Sequence, residues 1–190
     1  MDYFAGLDIS MDETHVCVLD REGQVIYESK SASTAQAIAD GLAKAPSCRR
    51  IVFETGRMAR ASGACRRLMT IPGVGQLTAL AFVAAIDDPS RIRRSRDVGA
   101  YLGLVPRRYQ SGEVDYVGGI SKCGDRRVRT LLYEAANVML TRYNGQLKLK
   151  EWAFAIARRS TMRKARIALA RRLAIIMHAM LRDGTEFEAA

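Results

Sequence analysis

Cysteine and histidine are scarce in this chain of 190 residues, and their spacing is as telling as their number. The four cysteines, Cys17, Cys48, Cys65 and Cys123, form no Cys-x-x-Cys pair, and only His15 and His178 are available to join them. That pattern speaks against a zinc site. No window of about 18 uncharged apolar residues appears, which argues against a membrane span, and no apolar leader precedes the first strand-like segment. A cytoplasmic setting with reduced thiols is the expectation. Internal repeats and low-complexity tracts are likewise absent.

What is present is a globular balance, 48% hydrophobic and 26% charged, with a net charge of +10 that is unevenly distributed. Residues 1–60 hold 7 Lys and Arg against 9 Asp and Glu, whereas residues 61–190 hold 23 against 11. The first third is therefore at −2 and the rest at +12. A basic body beside a slightly acidic segment points to a polyanion-binding region and a separate acidic site.

Local patterns divide the chain at about the same place. Tyr3–Ile9, Thr14–Leu19 and Val25–Ser29 are short, apolar and rich in β-branched residues, with the turn DREGQ at 20–24 between the second and third. Ser33 or Thr34 can cap a helix that Pro46 ends, and RRIVFET at 49–55 reads as a fourth strand. The order βββαβ is the opening of a ribonuclease-H-like fold, in which the first and fourth strands lie side by side. Beyond residue 56 the pattern turns helical: about 62–69, 75–86, 98–102, 126–142, 147–159 and 163–181. Asp125 is placed to cap the 126–142 helix, and Gly184 to stop the last one. The predicted architecture is α+β, with a domain at 1–60 and a mostly helical one at 61–190.

Three groups of residues carry possible chemistry. Asp8, in GLDIS, and Glu54, in VFETG, end strands predicted to pair, which brings two carboxylates within reach of one Mg²⁺. Solvated carboxylates at strand ends are just as ordinary, and GLDIS also fits an actin-like sugar-kinase strand. In IPGVG, Gly73 and Gly75 make a tight turn before an apolar helix, the form of a helix-hairpin-helix phosphate contact, although a plain glycine-rich connection has the same letters. Ser111 precedes Gly112 in a polar, turn-rich loop, with Arg107, Arg108, Lys122, Arg126, Arg127 and Arg129 in the surrounding sequence. A hydroxyl among cations suits phosphodiester chemistry, and a Ser-Gly pair is also an everyday turn. Arg158, Arg159, Arg163, Lys164, Arg166, Arg171 and Arg172 add a basic run on two apolar-faced helices, which fits either a solvated face or phosphate contact.

Together GLDIS, VFETG, IPGVGQLTA, AYLGLVPRRYQSG, GGISKCGDRRVRTLLYEAANVML and ARRLAIIMHAMLRDGTEF resemble the DEDD transposases of insertion sequences, the family that includes Piv-type DNA invertases and bridge-RNA-guided recombinases. Nearly the whole chain takes part in the resemblance. It implies a RuvC-like domain and a helical transposase domain. It further implies DNA recombination with a Mg²⁺-binding acidic cluster that includes Asp8 and Glu54, and with Ser111 as a nucleophile that links covalently to DNA. Homo-oligomers, a structured guide RNA in many members, and a bacterial, nucleoid-associated location are implied as well.

One departure sets the functional expectation. Family members carry further RuvC-like helices and two more aspartates after the Glu strand, whereas here ETGRMARASGACRRL runs directly into the hairpin. Asp87, Asp88 and Asp97 fall inside the transposase-domain match and are not counterparts of those acids. The chain thus resembles an internally deleted relative whose catalysis is impaired. Two other readings stay open: a non-catalytic nucleic-acid-binding remnant of a mobile element, and a helix-hairpin-helix binding protein with no such ancestry.

Overall fold

The computed structural model describes residues 2–10, 12–53, 59–111 and 114–188, with Phe53 and residues 114–117 described by their backbone alone. The chain forms two compact units, Met1–Ser62 and Gly63–Ala190. The fold is α+β, as the sequence predicts.

In the first unit β1 (Tyr3–Ile9), β2 (Glu13–Leu19), β3 (Val25–Ala32) and β4 (Cys48–Phe53) form one sheet in the order β3-β2-β1-β4. Neighbours pair antiparallel except β1 and β4, which run parallel, an arrangement that the helical crossover before β4 permits. The predicted adjacency of first and fourth strands is observed. Helix α1 (Ala35–Ala43) starts at Thr34, whose hydroxyl accepts from the Ala37 amide at 3.3 Å, a cap worth about 1 kcal/mol. Ser33 takes a different task and bonds Thr14 at 2.8 Å.

Strand alternation sends Ala5, Leu7, Val16 and Val18 to one face, where Tyr27, Ile38 and Leu42 complete a small core. The opposite face includes Gly6, Asp8 and Val52, and Val52 is 58% exposed.

The second unit is built on three helices: α5 (Arg126–Thr141), α6 (Lys148–Arg159) and α7 (Met162–Asp183). Helix α7 packs along both others. Its buried Ala165, Leu169, Leu173 and Met177 recur every four residues, and the buried Leu132, Ala135, Ala136 and Met139 of α5, the helix it packs against, recur at three- and four-residue spacing. Asp125 caps α5 by accepting from the Arg127 and Val128 amides at 2.6 and 2.9 Å, and Gly184 ends α7 with φ +69°. Both follow the sequence expectation. Around this core lie α2 (Gly63–Leu68), α3 (Gln76–Ile86), the short α4 (Val98–Tyr101) and two 3₁₀ turns, Pro89–Arg91 and Ser95–Asp97. None of the described helices is long and apolar enough to cross a membrane.

One departure concerns residues 106–120. The polar, turn-rich loop expected there is a β-hairpin, β5 (Pro106–Ser111) against β6 (Val114–Ile120), because Tyr109, Val114, Tyr116, Val117 and Ile120 give both arms strand-forming residues on either side of the Ser-Gly turn signal.

His178 fixes the 3₁₀ turns to α7. Fully buried, its Nε2 lies 3.1 Å from the Pro89 carbonyl and its Nδ1 2.9 Å from the Ser95 hydroxyl. A carbonyl only accepts, so Nε2 carries the proton and Nδ1 accepts from serine. Burial holds the imidazole below its usual value of 6.5. The unfolded chain therefore takes up a proton that the folded chain refuses, and stability declines as pH falls through about 6.5. Thermal melting should be flat above about pH 7 and drop between about pH 6.5 and 5, before carboxylates titrate. His178→Gln should lower the melting temperature and abolish that drop.

Candidate nucleic-acid interface

The hairpin is joined to the helices where two backbone segments cross. Gly103 has φ +67° and Gly124 φ +72°, conformations that side chains resist. A Cβ on Gly103 would collide with the backbone of Cys123, and one on Gly124 with the Tyr101 carbonyl. Hydrogen bonds continue the β5–β6 ladder through this crossing, from the Ser121 amide to the Val105 carbonyl at 2.8 Å and from the Lys122 amide to the Gly103 carbonyl at 3.1 Å. Arg129, reaching back from α5, donates through Nη1 to the carbonyls of Cys123 at 2.7 Å and Leu102 at 3.0 Å.

The predicted nucleic-acid residues therefore divide. Arg129 is committed to the crossing. Gly73 also has an internal task, because a Cβ there would lie 2.5 Å from the Ala135 carbonyl: its bareness admits the backbone of α5. Gly75 is exposed, faces open space and caps α3 without any side-chain bond. Arg126 and Arg127 are exposed on the first turn of α5 and Lys122 just before it. Arg107 and Arg108 are exposed on β5, and Arg107 donates to the Ser121 carbonyl at 3.1 Å.

Ser111 ends β5, exposed and paired with Val114. At about 3.3 Å per residue it stands roughly 13 Å along the strand from Arg107 and farther still from Lys122 beyond the hairpin base. The cations that surround Ser111 in sequence are thus spread along and behind the hairpin.

Between the hairpin base and α7 runs a trough of two adjoining cavities. The outer, of about 550 Å³, is lined by Arg107, Lys122, Thr161, Arg163 and Lys164 among others. The inner, of about 690 Å³, continues along α7 past Ile167, Arg171 and Arg172 to Trp152 of α6. No acidic residue lines either cavity among the described residues. Part of the basic run on α6 and α7 thus lines a concave surface.

In the first unit Asp8 is exposed on β1 opposite His15. The β1–β4 register pairs Leu7 with Phe53, and Glu54 lies outside the described residues. Among the described residues no group of three or more His, Cys, Asp and Glu comes together to hold a metal ion. The three aspartates set aside above have local partners: Asp88 caps a 3₁₀ turn through the Ser90 amide, Asp97 pairs with Arg94 at 2.9 Å, and Asp87 lies 4.0 Å from Arg91.

Comparison with known proteins places this geometry. Residues 65–151 match the model of the Transposase IS116/IS110/IS902 family. The transposase for insertion sequence element IS1111A of Coxiella burnetii is 40% identical over 129 residues, 67% of this chain and 35% of that protein. The transposase for insertion sequence element IS1328 of Yersinia enterocolitica is 39% identical over 123 residues, 64% of this chain and 37% of that one. A pilin gene-inverting protein of Moraxella bovis is 30% identical over 123 residues, 64% of this chain and 38% of that protein. The chain thus spans little more than a third of the length of each of these three relatives. Ser111, the two glycines and the six cations of the sequence reading lie inside the family segment, and Asp8 and Glu54 outside it.

Two arginines two residues apart on α5, and so on different sides of the helix, should behave oppositely. Arg129→Ala leaves the crossing's carbonyls without their donor and should cost about 2 kcal/mol in urea denaturation, whereas Arg127→Ala should cost under about 0.5 kcal/mol. Equal losses would show that Arg129 does not hold the crossing.

Proposed function

We propose, from a chain whose residues 65–151 belong to the IS116/IS110/IS902 transposase family, that this protein binds DNA as an insertion-sequence transposase does and is impaired in the chemical step. The observation that carries the reading is the cationic trough without acidic lining. Its outer part, together with Arg108, Arg126 and Arg127, presents a surface complementary to a phosphate backbone. Such contacts read charge rather than sequence. The α2–turn–α3 segment extends this surface as a helix-hairpin-helix contact through Gly75, whose helix start offers amides and a positive dipole end. Gly73 serves that contact indirectly, by seating the turn on α5.

The RuvC-like reading of residues 1–60 is supported by the sheet order and by the parallel β1–β4 pair. The acidic pair would be Asp8 and Glu54, and the nucleophile Ser111. In that step Ser111 Oγ displaces a sugar oxygen from phosphorus, its proton passes to solvent, and the leaving oxygen takes one up. Mg²⁺, where bound, stabilises charge on the attacking and leaving oxygens. Two carboxylates hold Mg²⁺ loosely, and among the described residues no group of three or more His, Cys, Asp and Glu comes together.

The distance along β5 between Ser111 and the nearest trough cation favours binding over chemistry. An alternative is therefore a non-catalytic remnant of a mobile element that occupies nucleic acid without cutting it. A homo-oligomer, or a structured RNA lying in the trough, is compatible with either role.

Two experiments test the reading on the full chain. Affinity for duplex DNA should fall steeply with salt, by about 0.9 in log K per phosphate contact for each tenfold rise, and Arg126→Gln with Arg127→Gln should reduce that slope by about 1.8. A slope near zero would sink the proposal. For the chemical step, the chain with Mg²⁺ and element-end DNA should give no covalent adduct, since each ~1.4 kcal/mol of lost transition-state stabilisation costs a factor of ten. An adduct abolished by both Ser111→Ala and Asp8→Ala would identify the nucleophile and overturn the impairment.

A further inference from the structure

The inner cavity differs in chemistry from the outer one. It lies outside the hairpin's own ladder, with apolar walls from Leu104, Ile120, Ile167 and Ile175, cations at its rim, and Trp152 along one side. Trp152 is 40% exposed, an unusual setting for a large aromatic ring in a chain that has a single tryptophan. The opposite side is formed by Gly118 and Gly119 of β6, where the β5–β6 register shifts between Pro106 and Arg108. A Cβ built on Gly119 meets nothing within 4 Å. The missing side chain leaves the space between hairpin and α7 open.

Arg171 lines the same cavity, its stem lying against Gly99, which limits where the guanidinium can go. Lys164 and Arg172 flank it on α7.

An apolar slot with an aromatic wall and a cationic rim has a particular complement. Duplex DNA presents phosphates and groove edges and keeps its base faces stacked within the helix, so it cannot fill such a slot. An unpaired nucleotide presents a flat apolar face together with an adjacent phosphate, and aromatic stacking combined with a basic track is how single strands are held without sequence preference.

We infer that the cleft between Gly119 and α7 is a binding site for an unpaired nucleotide, its base against Trp152 and its phosphates on Lys164, Arg171 and Arg172. The inference rests on the nucleic-acid reading above and adds a single-strand site to the phosphate-reading surface. Bare backbone at Gly119 admits the base, and the apolar walls exclude water from its faces. The same chemistry is offered by single-stranded DNA or by an unpaired stretch of RNA.

Because Trp152 is the chain's one tryptophan, its emission reports on the surroundings of that single ring, and the Gly119 variant below separates this cleft from the neighbouring cavity that Trp152 also lines with Leu147 and Phe187. The full chain is titrated with an oligothymidylate, an oligouridylate and a blunt duplex, following tryptophan emission and, in parallel, the anisotropy of labelled strands. A single strand should quench the emission saturably, while duplex should bind by anisotropy without quenching. Quenching by only one of the two single strands identifies DNA or RNA as the source and supports the site.

Gly119→Leu fills the cleft with no left-handed backbone to strain, and it should weaken single-strand binding about tenfold relative to duplex and remove the quench. Trp152→Leu, at an exposed position, should produce the same relative loss by anisotropy should the first variant fail to fold. Single-strand binding without quenching, equal quenching by duplex, or single-strand affinity unchanged in both variants would overturn the inference and leave the duplex-binding proposal standing. Failure of every strand to bind would overturn both.

Discussion

The second unit depends on a place where two stretches of backbone touch with no side chain between them. At Gly103 and Gly124 the chain leaving α4 crosses the chain entering α5 closely enough that a single methyl on either would meet a main-chain atom. A contact of this kind leaves carbonyls facing one another, and orphaned carbonyls are costly away from water. Arg129 resolves that by donating to carbonyls from both segments. The direction in which β5 leaves, the register in which β6 returns and the start of α5 at Asp125 all follow from that one arrangement. The base of the hairpin is therefore tied to the helical body by backbone contacts and hydrogen bonds, beside the trough.

A trough of this composition carries a standing electrostatic cost. Arg107, Lys122, Arg163, Lys164, Arg171 and Arg172 are brought along one channel with no acid among the described lining residues. Like charges that close repel one another, and only water and salt relieve them in the free protein. The hydrophobic packing of α7 against α5 and α6 must exceed that repulsion, and the fully buried Leu169, Leu173 and Met177 supply it. A bound polyanion reverses the sign of the charge term, so that occupancy and folding stability become linked.

Most of the elements were legible in the sequence because their causes are local. Three- and four-residue apolar spacing marks α5 and α7, Asp125 and Thr34 mark helix starts, and β-branched runs mark β1 to β4. The 106–120 hairpin was not, because its short arms carry Arg and Gln beside Tyr and Val, and its twin glycines at 118–119 look like loop rather than bulge. The roles of individual cations were hidden for a different reason. Arg127 and Arg129 are the same residue type on the same helix, and what separates them is the cluster of carbonyls that the Gly103–Gly124 crossing creates, a contact between segments about 20 residues apart. His178 and Trp152 were missed similarly: one is defined by turns some 80 residues earlier, the other by a cleft that exists only once hairpin and α7 are side by side.

The two units also differ in how firmly they hold what they carry. In the second unit the trough is fixed by a backbone crossing and by helices packed on several sides. In the first, β4 pairs with β1 alone, and it leaves Ile51 46% and Val52 58% exposed, so an edge strand carries apolar side chains that nothing in its own sheet covers. The described core of this sheet, Ala5, Leu7, Val16 and Val18 with a few half-buried neighbours, buries little apolar area, and small cores of this kind are marginal by themselves. Phosphate contacts tolerate some slack, because Coulomb attraction falls slowly with distance. A metal centre does not, because divalent chemistry depends on ligand positions held to fractions of an ångström. Of the two capacities that the resemblance implies, the proposed binding would rest on the helical unit, whereas an acidic centre would have to be assembled on a strand whose register is fixed from one side only.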